Sequence, residues 1–150
     1  MDLILWRHAE AEDTVPDMSR VLTPKGRIQA KLVADWLKQH MPANTQILVS
    51  PAMRTQQTAI ALELDYKTED EIGPGASPST LLEVAQWKKA HHPVLVVGHQ
   101  PTLGMAAAIA MTGKPHYWCI KKGALWWITS RNRLEEHQTI LRTIISPEFL

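Results

Sequence analysis

Apolar and polar positions divide the chain into two styles. Residues 3–6 form a short, wholly apolar block, which predicts a strand buried on both faces. Thr23-Pro24 supplies an N-cap and a proline for a first helical turn. Ile28, Leu32 and Trp36, with Val33 and Leu37 beside them, mark one face of a helix ending near Met41-Pro42. Residues 47–49 predict a second buried strand. Ser50-Pro51 then repeats the cap-and-proline signal for a helix running to about Leu64. Ser77-Pro78 opens a third helix carrying Leu81, Leu82 and Ala85. The β-branched block 94–97 predicts a third strand. Pro101-Thr102 starts an alanine-rich helix that Gly113 and Pro115 stop. Beyond it, residues 117–120, 124–129 and 139–144 read as strands, with Lys121-Lys122-Gly123 and residues 130–133 as turns. Strand–helix units followed by hairpins predict an α/β three-layer sandwich, with a mixed, mostly parallel central sheet flanked by helices. The 150 residues contain no linker, repeat or low-complexity stretch, so one domain spanning 1–150 is expected.

Composition narrows the function classes. Sixteen basic against fifteen acidic residues leave a net charge of +1. That balance predicts neither a nucleic-acid partner nor a membrane-attracted surface. No stretch approaches the roughly 20 apolar residues of a membrane span, and the N-terminus lacks a basic segment followed by an apolar leader. A cytoplasmic, monomeric protein is the expectation. The single cysteine, Cys119, rules out an internal disulfide. Its place between Trp118 and Ile120 predicts a buried, inert thiol.

Chemistry gathers where the early strands end. The first strand runs directly into Arg7-His8, the second into Ser50-Pro51-Ala52-Met53-Arg54-Thr55, and the third into Gly98-His99-Gln100-Pro101. Parallel strands would bring all three segments to one sheet edge, where open α/β sheets bind ligands. Two arginines and two histidines would meet there. Arginine offers a planar fork of donors that fits phosphate oxygens. The helix opening near Pro51 adds free N–H groups and the positive end of a dipole. A neutral histidine can attack phosphorus and carry the phosphoryl group. No carboxylates fall at a strand edge in metal-ligand spacing, so no metal and no cofactor are expected.

These segments resemble the histidine phosphatase superfamily, whose fold is phosphoglycerate mutase-like. Leu5-Trp6-Arg7-His8-Ala9-Glu10 is similar to its N-terminal Arg-His signature, residues 50–59 to its second-arginine motif, and Val97-Gly98-His99-Gln100-Pro101 to its second-histidine motif. Within the superfamily the resemblance is closest to the short SixA-type phosphohistidine phosphatases. Residues 20–26 resemble the segment leading into their first helix, and residues 71–78 the segment before their third. The resemblance implies a metal-independent hydrolase with His8 as the nucleophile, phosphorylated during turnover. It implies that Arg7, Arg54 and His99 hold the phosphoryl oxygens and that Arg20 contacts phosphate or substrate. Many members carry a general acid after the second-arginine helix. Here Glu69, Asp70 and Glu71 lie in that region without a matching motif, and solvated loop acids are the simpler reading.

A missing acid hinders release of an alkoxide more than release of a neutral imidazole. The expected function is therefore removal of phosphate from a histidine on a signalling or phosphotransfer protein. A phosphatase for sugar phosphates or other small monoesters is the first alternative, and a non-catalytic phosphoprotein-binding module the second. The short connection between Leu64 and Pro78 predicts no lid. The two arginines should lower the pKa of His8. His40, His91 and His92 are read as helix-end cations. His116 and His137 receive no chemistry, Trp118, Trp126 and Trp127 are read as packing residues, and Lys121-Lys122 as a solvated turn.

Overall fold

The apolar block at the N-terminus becomes β1 (Asp2–Arg7), in which Leu3, Ile4, Leu5 and Trp6 are all fully buried. The computed structural model describes residues 1–150. After β1 come α1 (Pro24–His40), β2 (Gln46–Val49), α2 (Met53–Ile60), β3 (Lys67–Thr68), α3 (Pro78–Val84), β4 (Val94–Gly98), α4 (Thr102–Thr112), β5 (Leu125–Arg133) and β6 (Glu136–Ile145). One six-stranded sheet has the order β3-β2-β4-β1-β5-β6. The pairs β1/β4, β4/β2 and β2/β3 are parallel, whereas β5 and β6 add on antiparallel. The expected mixed sheet between helical layers is therefore present.

Period-two alternation explains the layering. On one face Leu3 and Leu5 pack with Leu81 of α3 and Leu103 of α4; on the other Ile4 and Trp6 pack with Val33 and Leu37 of α1 and Ala59 of α2. Fully burying one such side chain stabilises the fold by roughly 1.5–3 kcal/mol, so β1 alone anchors both layers. The cap signals act as read at two helices. Thr23 accepts from the Gly26 amide, and Ser77 from the Thr80 amide. Gly113 closes α4 in the left-handed region, at φ 82°.

Several local expectations are corrected. The buried face of α1 is Ala30, Val33, Ala34 and Leu37, while Ile28 is 63% exposed. At 3.6 residues per turn position 28 falls on the side of α1 opposite to these four, which leaves Ile28 facing outward. Helix α2 stops at Ile60 rather than near Leu64. Residues 117–120 form no strand: the Trp118 carbonyl accepts from Gln100 Nε2, and the Ile120 carbonyl from Arg7. Cys119 lies in that irregular segment and is exposed, not buried. Residues 130–133 continue β5. The turn is Leu134-Glu135, both at positive φ (52° and 64°), joining Arg133 to its partner Glu136. His91 and His92 do not end a helix, since α3 stops at Val84. His40 does, with Nδ1 2.8 Å from the Trp36 carbonyl.

Candidate active site

The parallel register fixes the site. Arg7 pairs with Gly98 across β1 and β4, and Val49 with Val97 across β2 and β4. His8, Ser50 and His99 are therefore each the residue just past the register at one sheet edge. Backbone bonds tie the strand ends together: the His8 amide donates to the Gly98 carbonyl (3.1 Å) and the Ser50 amide to the Val97 carbonyl (3.1 Å). Arg54 is the second residue of α2, which opens beside the same edge.

His8 is 7% exposed and His99 3% exposed, with ring centroids 5.4 Å apart. The Nδ1 atom of His8 lies 2.7 Å from the Ala9 carbonyl. A carbonyl only accepts, so Nδ1 carries the proton and Nε2 of the neutral ring keeps a free lone pair. Ala9 is itself held by its amide, which donates to Thr58 Oγ1 of α2 (3.1 Å). Burial pushes the His8 pKa down to about 4; the Ala9 hydrogen bond works against this, and the charges of Arg54, Arg7 and Arg20 reinforce it. The direction matches the sequence reading, but desolvation exceeds the arginine effect. His99 is pushed down to about 3, again by burial first and then by Arg54 and His8. Both rings are neutral at pH 7.

Three arginines surround this pair. Arg7 donates Nη1 to the Ile120 carbonyl (2.9 Å). Arg54 donates Nη1 to the Asp17 carbonyl (2.9 Å) and Nη2 to Asp17 Oδ2 (3.2 Å). Arg20 donates Nε to the Glu12 carbonyl (2.8 Å) and pairs through Nη1 with Asp17 Oδ1 (3.3 Å). The Nε atoms of Arg7 and Arg54 and the Nδ1 atom of His99 are buried without a hydrogen-bond partner. Buried donors are almost always satisfied, and three of the four orphaned nitrogens fall on this one cluster, whose arginine charge suits an oxygen-rich anion. A phosphoryl group provides those acceptors together with the charge that the arginines neutralise.

Glu69, Asp70 and Glu71 make no hydrogen bond or ion pair with this cluster, although Glu69 also lies just past the register at the same edge, its amide donating to the Val49 carbonyl (2.8 Å). Glu69 follows β3 and pairs with Lys67 (3.2 Å). Asp70 and Glu71 are exposed in the 3-10 turn Asp70–Ile72, whose Ile72 is buried in the core. The connection from Leu64 to Pro78 is thus docked on the body of the fold rather than raised as a lid. Two contributors escape sequence reasoning. Ser50, expected as a helix cap, instead directs Oγ to His99 Nε2 at 2.7 Å, and α2 begins after Ala52 without a side-chain cap. Asp17, which opens the 3-10 turn Asp17–Ser19 with no motif around it, holds two of the three arginines. An open groove of about 740 Å³ adjoins the site through Arg7 and Glu10 and runs past Lys25, Ile28 and Lys122; His8 and His99 are not on its wall.

Residues 3–73 match the histidine phosphatase superfamily (branch 1). The chain is 31% identical to the phosphohistidine phosphatase SixA homolog of Haemophilus influenzae, over 92% of this chain and 95% of that one. It therefore belongs to the histidine phosphatase superfamily and is a phosphatase. Within that superfamily it is of the SixA type. Among solved structures, the protein histidine phosphatase SixA complexed with tungstate superposes with a TM-score of 0.79 at 24% identity, covering 99% of both chains. A phosphoserine phosphatase mutant from Entamoeba histolytica shares the fold at 16% identity and a TM-score of 0.71, covering 99% of this chain and 98% of that one. No helix is long and apolar enough to cross a membrane.

Proposed function

We propose that the protein removes phosphate from phosphohistidine on another protein. Nε2 of His8 attacks phosphorus while Arg7, Arg54 and His99 hold the phosphoryl oxygens and Arg20 completes the positive rim. The phosphoryl group moves to His8, the substrate imidazole departs, and water then hydrolyses phospho-His8. Oriented donors on largely buried side chains stabilise the charge that develops on the oxygens.

The observation that carries this reading is the absence of a carboxylic acid held ready to protonate a leaving oxygen. Asp17 is the only carboxylate bonded to the cluster. Slight desolvation opposes its ionisation, but the hydrogen bonds and charges of Arg54 and Arg20 hold the carboxyl below the usual carboxylate range. It is therefore an anion at neutral pH and no acid catalyst. Glu69, the only partly buried acid of the 69–71 group, is engaged by Lys67. A site so equipped suits a leaving group that departs as a neutral ring better than one that departs as an alkoxide. Likeness to a SixA homolog supports the same substrate class, and the open groove beside Arg7 gives a protein surface room to approach.

The test compares kcat/KM for a histidine-phosphorylated carrier protein with values for a panel of sugar phosphates and other monoesters, with Glu69→Gln, Asp70→Asn and Glu71→Gln in parallel. The expected result is a strong preference for the phosphoprotein that all three variants retain. Efficient turnover of one monoester, lost in any of the three, would transfer the assignment to a small-molecule phosphatase.

A further inference from the structure

Asp17 occupies an unusual position. Its side chain is 56% exposed, yet one carboxylate oxygen meets Arg54, whose side chain is only 5% exposed, and the other meets Arg20. Arg54 gives one hydrogen from each terminal nitrogen to Asp17, which leaves three of its five N–H donors unused. A surface ion pair contributes little to stability, typically about 0–1 kcal/mol, so folding alone does not account for this arrangement. The carboxylate stands where buried machinery meets solvent. A carboxylate offers about four acceptor positions, and the contacts with Arg54 and Arg20 use only two of them.

The reaction path gives the remaining positions a role. His8 lies beneath the surface, so in-line attack on phosphorus sends the leaving group away from it, toward the open rim. The substrate imidazole departs well only if the nitrogen remote from phosphorus carries a proton. We propose that Asp17 accepts a hydrogen bond from that remote N–H and thereby selects phosphohistidine over phosphate monoesters. This rests on the function proposed above. The ring takes its proton from solvent before attack, and the carboxylate favours the protonated form. The lone pair of His8 Nε2 forms the new P–N bond. The electron pair of the old P–N bond stays on the substrate nitrogen, and the ring leaves neutral with its remote proton in place. Asp17 remains a carboxylate throughout. A monoester has no second ring nitrogen and gains nothing from this contact.

The experiment measures kcat/KM of the wild type and of Asp17→Asn on a phosphohistidine peptide and on p-nitrophenyl phosphate, whose leaving group departs as an anion. Turnover of the second substrate also reports that the variant is folded. The expected result is that the ratio of phosphohistidine to p-nitrophenyl phosphate turnover falls tenfold or more in Asp17→Asn. Equal losses on both substrates would reduce Asp17 to a support for Arg54, and a rate unchanged or raised on both would make it a displaceable occupant. Either overturns the inference while leaving the substrate reading intact. A wild-type protein inactive on the phosphohistidine peptide but active on p-nitrophenyl phosphate would instead overturn the substrate reading, and this inference with it.

Discussion

The Ser50 hydroxyl lies 2.7 Å from Nε2 of His99, and this contact decides which proton His99 can offer. Ser50 Oγ accepts from the Ala52 amide at 3.3 Å; the proposed chemistry needs its own hydrogen to go to Nε2. Nε2 is then the acceptor, and the proton of the neutral ring sits on Nδ1, the buried nitrogen without a partner. In the proposed mechanism His99 then donates to a phosphoryl oxygen without carrying charge. Losing one such donor costs about 10²–10³ in kcat. His99→Ala should fall in that range, and Ser50→Ala, which frees the tautomer but keeps the ring, should lose less, roughly tenfold. Steady-state kinetics of the two variants checks the order; a larger loss in Ser50→Ala would contradict it.

The pH dependence follows from the low pKa of His8. Attack needs the neutral ring, which persists until the pH falls to about 4. On the free enzyme kcat/KM should therefore keep its enzyme-side value from pH 7.5 to about 5 and fall only near 4, once corrected for ionisation of the substrate. Stability has the opposite limit in view. An unfolded histidine binds a proton below a pKa of about 6.5, but the folded His8 and His99 resist it. The unfolded state then holds more protons, so stability drops as the pH falls from about 6.5 toward 4. Thermal melts across this range should show Tm falling less steeply in His99→Gln.

Arg54 tests whether geometry or charge matters in the phosphoryl cradle. Arg54→Lys keeps the positive charge but cannot serve the two Asp17 oxygens and a phosphoryl oxygen together. Its kcat/KM is expected to drop by about 10²-fold. Activity within a factor of three of the wild type would show that charge alone suffices.

Gly104 links the last helix to the site. A methyl there would overlap the Trp118 carbonyl oxygen, which also accepts from Gln100. The same segment supplies the Ile120 carbonyl that holds Arg7. Overpacking typically costs about 1–3 kcal/mol, and a clash with backbone belongs at the upper end. Gly104→Ala should lower the unfolding free energy by that amount, read from the shift of its denaturation midpoint, and reduce kcat as Arg7 loses its anchor.

Strands β1, β2 and β4 and the gathering of Arg7, His8, Arg54 and His99 at their ends were legible because strong local signals coincide with them. Blocks such as Val94–Gly98 are apolar throughout, and each ends directly in a residue of the cluster. What stayed hidden depends on tertiary contacts. Ser50-Pro51 looks like a cap, and only the neighbouring strand end shows that its hydroxyl serves His99. Residues 117–120 look like a strand, but Arg7 and Gln100 recruit their carbonyls and leave Cys119 exposed. The two-residue β3 carries no periodicity at all. Asp17 opens a single 3-10 turn and gains meaning only from arginines 3 and 37 positions away.

Rapid-quench labelling tests the central claim most directly. The enzyme is mixed with a carrier protein bearing radiolabelled phosphohistidine, and labelled enzyme is followed within a single turnover. The account requires label to appear on His8, as an acid-labile and alkali-stable adduct, before free phosphate rises, and to be absent in His8→Ala. Phosphate released with no labelled enzyme intermediate, at a rate that His8→Ala retains, would contradict it.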